Sequence, residues 1–195
     1  MKTLEDYLDQ VLPEERKDHY YYVLNLFEGS SRHSKAFSTK AEVVDIIRSW
    51  QDSKVQLTRE SEMYVSMASF NFKDVDETKW GRKKKFAGYN KAFFLDIDCE
   101  GAQRAIGEEE TGKKNYSSKD KAIEAIDDFL DATEMPQPTI ISSGWGIHVY
   151  WVLEEGIPSD KWAVCAKQLK KLVSKHDLNT DSSVTADVSR ILRPT

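Results

Sequence analysis

The stretch FFLDIDCE, residues 93–100, organises the rest of the chain, because an apolar run there ends in two carboxylates. Asp96 and Asp98 are spaced i, i+2. Successive side chains of a β-strand point to opposite faces, so both aspartates project from the same face while Ile97 points into a core. Two neighbouring like charges repel, and a cation between them relieves the repulsion. The pattern indicates either a metal-binding pair or a strand that ends in an acidic turn.

The composition is typical of a soluble protein with one large domain or two small lobes. Of its 195 residues, 39% are hydrophobic and 31% are charged, which is enough to bury a real core. No apolar run reaches the length of a membrane span, and the acidic N-terminus lacks the apolar segment of a signal peptide. Cys99 and Cys165 are isolated, so we expect no disulfide framework, no cysteine-based zinc site and a reducing, cytoplasmic setting. The net charge of −5 argues against nonspecific coating of nucleic acid but allows a local basic grip.

The first third of the chain shows hydrophobic patterns of both helices and strands but no recognisable catalytic motif. Helical spacing predicts a short N-terminal helix that ends near Pro13. We expect a later helix to be capped by Ser38 or Thr39, with Glu42 in its first turn. Aromatic and β-branched runs predict strands at His19–Phe27 and Glu62–Phe70.

From Phe93 onward the predicted order of elements is β-α-β-β-α-β. Ser118 can cap the first helix, Gly144-Trp145-Gly146 joins two strands in a hairpin, and Pro158 with Ser159 opens the second helix. A short last strand is expected at Ser189–Leu192. This order is typical of the ferredoxin-like, RNA-recognition-motif-like (RRM-like) unit, which packs both helices on one sheet face. We therefore predict an α/β (α+β) protein with an N-terminal α/β module over residues 1–90 and an RRM-like module over residues 91–195, whose other sheet face is open.

The predicted hairpin carries a histidine in a suggestive context. Strand alternation places His148 and Tyr150 on one face. A lone strand histidine is usually a satisfied polar residue, but this one follows small residues whose backbone N–H groups let a phosphate approach closely. We interpret His148 as a phosphate ligand, and the cradle comprises Ser142, Ser143, Gly144 and Gly146.

Two further charged segments each have a purely structural and a functional interpretation. The run Arg82-Lys83-Lys84-Lys85 is either a solvated loop or a contact for a nucleic-acid backbone, and its position before the aspartate strand favours the contact. The C-terminal run is either a capped turn with a basic end or a source of a third carboxylate and phosphate-binding guanidinium groups. Its candidates are Asp181, Asp187, Arg190 and Arg193.

These elements together resemble the archaeo-eukaryotic-type primase–polymerase family, especially its phage- and plasmid-borne members. The resemblance rests on the Asp96-x-Asp98 strand, on the Ser-Gly-x-Gly-x-His segment that ends at His148, and on a C-terminal run similar to D-x-x-V-x-x-D-x-x-R-x-x-R. In that pattern the first aspartate binds metal, which favours Asp181 and leaves Asp187 as the alternative. The sequence departs from the family at Gly146, where a serine often stands, and stops where related proteins continue.

The resemblance implies a DNA primase-polymerase, which makes or extends primers by nucleotidyl transfer. Its metal site would hold two Mg²⁺ or Mn²⁺ ions, without zinc, on Asp96, Asp98 and Asp181. His148 and the hairpin would bind the triphosphate, Arg190 and Arg193 the triphosphate or template, and Arg82–Lys85 the strand backbone. The implied partners are single-stranded DNA template and primer, NTP or dNTP, and a replicative helicase in trans or on a C-terminal region that this chain lacks.

Three alternatives stay open at this point. A non-catalytic RRM-like module would bind nucleic acid without chemistry, although such a module normally has aromatic residues where this chain has Asp96 and Asp98. A metal-dependent nuclease would use the same carboxylates without a triphosphate cradle. A truncated catalytic core would bind nucleotide without making primers alone. No membrane partner is expected, and the setting would be the host cytoplasm for a phage or plasmid protein.

Overall fold

The computed structural model describes residues 3–27, 33–52, 61–71, 82–99 and 115–194. The chain divides into two compact units. The first unit comprises Met1–Ala92, Leu153–Trp162 and Val188–Thr195, and the second comprises Phe93–Val152 and Ala163–Asp187. The sequence-based division falls between residues 90 and 91 and assigns everything after it to one module. In the structure, two later segments, Leu153–Trp162 and Val188–Thr195, belong to the first unit. Residues 100–114, between the predicted aspartate strand and the predicted helix cap at Ser118, lie outside the described residues.

The first unit is built around a central antiparallel strand. Its helices are α1 (Leu4–Val11) and α2 (Lys40–Asp52), and its early strands are β1 (His19–Phe27), β2 (His33–Phe37), β3 (Ser61–Ser66) and β4 (Ala68–Asn71). β2, β3 and β4 all pair with β1. The predicted cap of α2 is confirmed, because the Glu42 carboxylate accepts from the backbone amides of Ser38 and Thr39 while Thr39 Oγ1 accepts from the Glu42 amide at 3.2 Å.

Two predictions for the first unit need correction. The single strand expected at Glu62–Phe70 is divided at Met67, where the Ser66 hydroxyl replaces a ladder partner by accepting from the Tyr22 amide at 2.9 Å. The strand β2 was not predicted, because its sequence HSKAF has no apolar alternation and is held by backbone pairing to β1.

The second unit packs two helices on one face of its sheet, as predicted. Its elements are the end of β5 (Ala87–Ile97), α3 (Lys119–Thr133), β6 (Thr139–Ser142), the start of β7 (Ile147–Pro158) and most of α4 (Ser159–Lys175). The strand order is β6-β7-β5, and β6 and β7 are antiparallel. The core between sheet and helices contains Leu95, Ile97, Ile147, Val149, Trp151, Ala122, Ile126, Phe129, Leu169 and Val173.

The last strand does not complete an RRM-like sheet, which corrects that part of the prediction. β8 (Ile191–Leu192) belongs to the first unit, where it pairs with β3. The edge of β5 that a fourth strand would need is already used: Ala87–Asn90 pair with β4, and the Asp96 carbonyl accepts the amide of Asp181 at 2.8 Å. The α+β class is confirmed, with three of the four expected strands in ferredoxin-like order.

A membrane-spanning helix is absent from the part of the chain that the structure describes, since none of its helices combines the required length with sufficient hydropathy.

Candidate active site

Two aspartates spaced i, i+2 lie where β5 ends. Asp96 belongs to the strand and Asp98 follows it directly. The intervening Ile97 is fully buried in the core beneath the helices. Strand alternation therefore places both carboxylates on the sheet face opposite the helices, while both side chains remain partly exposed.

The hairpin between β6 and β7 packs closely against this strand end. The Ser143 amide donates to the Gly146 carbonyl at 3.0 Å, which closes the turn, and Gly144 has a φ of 100° that favours glycine. A Cβ added at Gly146 would lie 2.2 Å from the Ile97 carbonyl oxygen and 3.3 Å from the Asp98 Cα. Glycine at position 146 is thus what allows the hairpin backbone to touch the strand that carries the aspartates.

His148 contacts Asp96 from the neighbouring strand. Its Nε2 lies 3.7 Å from Asp96 Oδ1, and its Nδ1 lies 3.1 Å from the Tyr150 hydroxyl. When that hydroxyl donates to Nδ1, the neutral imidazole carries its proton on Nε2, on the side of Asp96. The ring is therefore hydrogen-bonded at Nδ1, while its Nε2 faces the Asp96 carboxylate.

The expectation of an open sheet face fails at these positions. His148 is only 3% exposed and Tyr150 is fully buried. β7 lies between β6 and β5, so its side chains are flanked on both sides. A buried imidazole is better placed to hold a neighbouring carboxylate than to meet a phosphate arriving from solvent.

Asp181 is joined to the aspartate strand through its backbone. Its amide donates to the Asp96 carbonyl at 2.8 Å, which joins the two backbones directly. Its carboxylate accepts from the amide and the hydroxyl of Ser183 at 2.9 Å and 2.7 Å. The amide of Asp187, by contrast, donates to the Val184 carbonyl at 3.1 Å. The structure thus brings the backbone of Asp181 next to that of Asp96, and Asp181 as the third metal ligand, with Asp187 as the alternative, stays a prediction.

The three carboxylates have the right chemistry for a hard divalent cation but do not form a ready-made cage. Mg²⁺ and Mn²⁺ prefer carboxylate oxygen ligands. Among the described residues, however, no three His, Cys, Asp or Glu side chains are arranged to hold a metal ion. Carboxylates without a cation between them repel, and that of Asp181 is turned towards Ser183. The donor types fit the ion, whereas the side chains would have to reorient to bind it.

A lysine that the sequence analysis did not single out contacts the end of β6. Lys119, the first residue of α3, donates from Nζ to Ser142 Oγ at 2.7 Å. Burial raises the pKa of the nearby Cys99 thiol; the Lys119 ammonium opposes this rise and the Asp98 carboxylate adds to it. Lys119 and Asp98 therefore both lie close to Cys99. The signal in the sequence was the Ser118 cap, because a residue that follows a cap stands at the positive end of a helix.

Trp145, at the tip of the hairpin, is another residue that sequence reasoning passed over. It is 56% exposed, although a large aromatic side chain is normally at least half buried. Its neighbour Gly146 is packed against Ile97 and Asp98, so the backbone that carries the indole is fixed to the end of the aspartate strand. The hairpin therefore presents an exposed aromatic surface.

The remaining candidate residues lie in the first unit. Arg82 donates to the Ser189 carbonyl, and Lys83, Lys84 and Lys85 are exposed. The Arg190 carbonyl accepts from Met67 at 2.9 Å.

Arg193 is engaged within the first unit as well. It pairs with Glu62 and lies 5.7 Å from the Tyr64 ring centroid. Although burial acts to lower it, the Glu62 carboxylate raises the pKa of Arg193 above its ordinary value. The charge of Arg193 is therefore already balanced by a protein carboxylate.

Comparison with known proteins gives a likeness of fold. No protein-family description matches the sequence, and no curated protein matches it. Among solved structures, the AEP domain of the cyanophage S-2L primase-polymerase is similar, with a TM-score of 0.52 and 14% identity over 90% of this chain and 72% of that one. The primase RepB′ is also similar, with a TM-score of 0.50 and 10% identity over 98% of this chain. The chain spans about half of RepB′, 48% of its length.

Proposed function

We propose that this chain is the catalytic core of a DNA-dependent nucleotidyltransferase that makes or extends primers on single-stranded DNA. The observation that carries the proposal is the hydrogen bond between the Asp181 amide and the Asp96 carbonyl. It joins an aspartate from the C-terminal part of the chain to the Asp96-x-Asp98 strand. The fold likeness to a phage primase-polymerase domain and to the primase RepB′ supports the same conclusion.

The three aspartates would hold the metal ions that this reaction uses. Asp96, Asp98 and Asp181 supply oxygen donors from one strand end and from one adjoining loop. Bound Mg²⁺ or Mn²⁺ would lower the pKa of the attacking 3′-hydroxyl and neutralise charge on the phosphate oxygens. The imidazole of His148, which faces Asp96, would keep that carboxylate in position.

The triphosphate would meet Lys119 and the hydroxyl of Ser142 at the mouth of the hairpin. These two side chains already touch, so an ammonium and a hydroxyl donor are presented together beside a helix N-terminus. The Ser143 amide donates to Gly146 within the turn, so it contributes to the shape of the turn and not to phosphate binding. Exposed Gly144 lets the phosphate chain approach the backbone closely, whereas Gly146 is packed against the strand.

The nucleic acid would be held through charge and stacking. The exposed lysines Lys83, Lys84 and Lys85 are suited to strand phosphates, and exposed Trp145 is suited to a base. Arg193 is paired with Glu62, so binding a phosphate would require it to exchange that carboxylate. The substrates would be NTP or dNTP together with a template strand.

A primer-synthesis assay tests the proposal. The protein is incubated with circular single-stranded DNA, labelled NTPs or dNTPs and Mg²⁺ or Mn²⁺. We expect labelled products from the wild type and a loss of roughly a hundredfold or more for the double variant Asp96→Ala, Asp98→Ala. The matched control, Asp127→Ala with Asp128→Ala, removes two exposed carboxylates from α3 and should retain activity.

The primer-synthesis assay and two assays with an oligonucleotide separate the competing functions. Unchanged synthesis by the Asp96, Asp98 variant with an intact circular dichroism spectrum would refute the catalytic role of these residues. A nuclease would instead shorten an end-labelled oligonucleotide in the presence of metal. A simple binding module would shift the oligonucleotide in a gel without incorporating any nucleotide.

A further inference from the structure

A cavity of about 470 Å³ opens in the second unit, and none of the proposed catalytic residues lines it. Its inner wall is formed by aromatic and aliphatic side chains from the sheet, from the segment after α3 and from α4: Phe93, Trp151, Met135, Leu169 and Leu172. The volume is within the range of cavities that bind a ligand. An occupant of the cavity would therefore contact mainly carbon atoms of this wall.

The most polar group of this wall is already satisfied. The indole N–H of Trp151 donates to the Pro136 carbonyl at 2.8 Å. That bond fixes the ring and leaves its carbon surface to the cavity. Water gains few hydrogen bonds against such a wall, so an apolar side chain that enters it would displace water favourably.

The mouth of the cavity carries charge of one sign. Lys171 and Lys175 line it from α4 at i, i+4 spacing, and none of the lining residues is an aspartate or a glutamate. Within the described part of the chain neither lysine forms an ion pair with a carboxylate. Neighbouring like charges on a helix repel one another, so an anion at the mouth would be stabilised by both.

An exposed apolar side chain lies on α4 beyond the cavity. Val164 is 60% exposed and shares a helix face with Gln168, Lys171 and Lys175, at i, i+4, i+7 and i+11. At the rise of an α-helix this strip is ~16 Å long. An occupant that covers Val164 as well as the cavity must be extended.

We propose that this surface binds an acidic peptide segment of a partner protein. One large apolar side chain of the segment enters the cavity, and its carboxylates lie beside Lys171 and Lys175. A fatty acid would fill the cavity but would leave Val164 uncovered. A nucleobase would bury its polar edge against carbon without hydrogen-bond partners, which is unfavourable.

Cys165 provides a local reporter of occupancy. It lies at the mouth of the cavity and is exposed, whereas Cys99 is buried. In the folded protein a disulfide reagent such as Ellman's reagent should therefore modify Cys165 selectively. A peptide on this surface should slow that modification, and the concentration dependence gives the dissociation constant.

The probe is a synthetic peptide of alternating Asp and Ser around a single Phe. We expect it to protect Cys165 and to lose about tenfold or more in affinity when its Phe is replaced by Ser. Raising the salt concentration should also weaken binding, because charge contributes to it. Laurate and an oligothymidine serve as the competing ligand classes.

Two neighbouring lysines provide the matched variants. Lys171→Glu reverses a charge at the mouth and should weaken peptide binding several-fold, since it replaces attraction by repulsion. Lys170→Glu makes the same change in net charge one residue away, on a side chain that lines a different cavity. It should leave peptide affinity nearly unchanged.

Three results would overturn the proposal. These are equal protection by the Phe and Ser peptides, equal weakening by Lys171→Glu and Lys170→Glu, and protection by laurate or oligothymidine but not by the acidic peptide. The assay needs no nucleotide and no metal, so its result is independent of the proposed nucleotidyl transfer.

Discussion

Gly146→Ala should damage both stability and activity through a single added methyl group. The new Cβ would lie 2.2 Å from the Ile97 carbonyl oxygen and 3.2 Å from the Ile97 carbonyl carbon. Both contacts are with backbone in a strand whose Ile97 side chain is fully buried, so no side chain can rotate to make room. The hairpin must move away from the strand end.

The size of that movement sets the expected effect. An ordinary contact of this kind is roughly 1 Å longer than the one that the methyl group would make. Overpacking of this order costs about 1–3 kcal/mol in the free energy of unfolding, which for a chain of this size lowers Tm by roughly 2–10 °C. A displacement of about 1 Å at reacting groups costs on the order of a hundredfold in rate.

Thermal unfolding and primer-extension rates measure the two effects. Gly88→Ala is the matched control, because its added methyl group meets the His19 ring, which can turn aside. We expect a smaller change in Tm and nearly normal extension for the control. If Gly146→Ala had the Tm and the extension rate of the wild type, the close contact between hairpin and strand would be wrong.

Three further predictions follow from contacts of individual side chains. Trp145→Ala should weaken binding of nucleotide or single-stranded DNA by roughly fivefold to a hundredfold, as expected for loss of base stacking, and Trp145→Phe should restore most of it in a fluorescence titration. Lys119→Met should raise the KM for nucleotide about tenfold with Tm little changed, because a charged phosphate contact is lost; steady-state kinetics with a Lys119→Arg control measure this. Burial acts to raise the pKa of Glu62, but hydrogen bonds from Arg193 and Tyr64 outweigh it and lower that pKa. The resulting stability should be full above the ordinary carboxyl pKa and lost as pH falls through the lowered one; urea unfolding of Glu62→Gln should differ from wild type by roughly 0.5 kcal/mol at pH 7 and by less at pH 3.

The sequence was most informative where local chemistry decides structure. The Ser118 cap and the capping box around Glu42 are confirmed because each depends on hydrogen bonds between residues three or four apart. Strand alternation likewise put Asp96 and Asp98 on the face opposite the core, since the period of a strand is a property of its backbone.

The predictions failed where distant segments compete for one partner. The pairing of β8 with β3 depends on which strand edge is free, and the two-residue sequence of β8 does not specify its pairing partner. The burial of His148 depends on its place in a central strand. The third metal ligand stays a prediction: the family pattern favours Asp181 and leaves Asp187 as the alternative, because both precede arginines in the same motif.

At the candidate site the backbone contacts are fixed, whereas the side chains can change rotamer. The Asp181 amide bond to Asp96 and the packing of Gly146 on Ile97 hold the three chain segments together at the level of the backbone. The carboxylate of Asp181 accepts two hydrogen bonds from the neighbouring Ser183, which a side-chain rotation would exchange for metal ligation. Because Mg²⁺ demands near-octahedral geometry, rotation of side chains on a fixed backbone is the least costly way to provide it. This is why a backbone contact, and not a preformed cluster of carboxylates, is the observation that carries the proposed function.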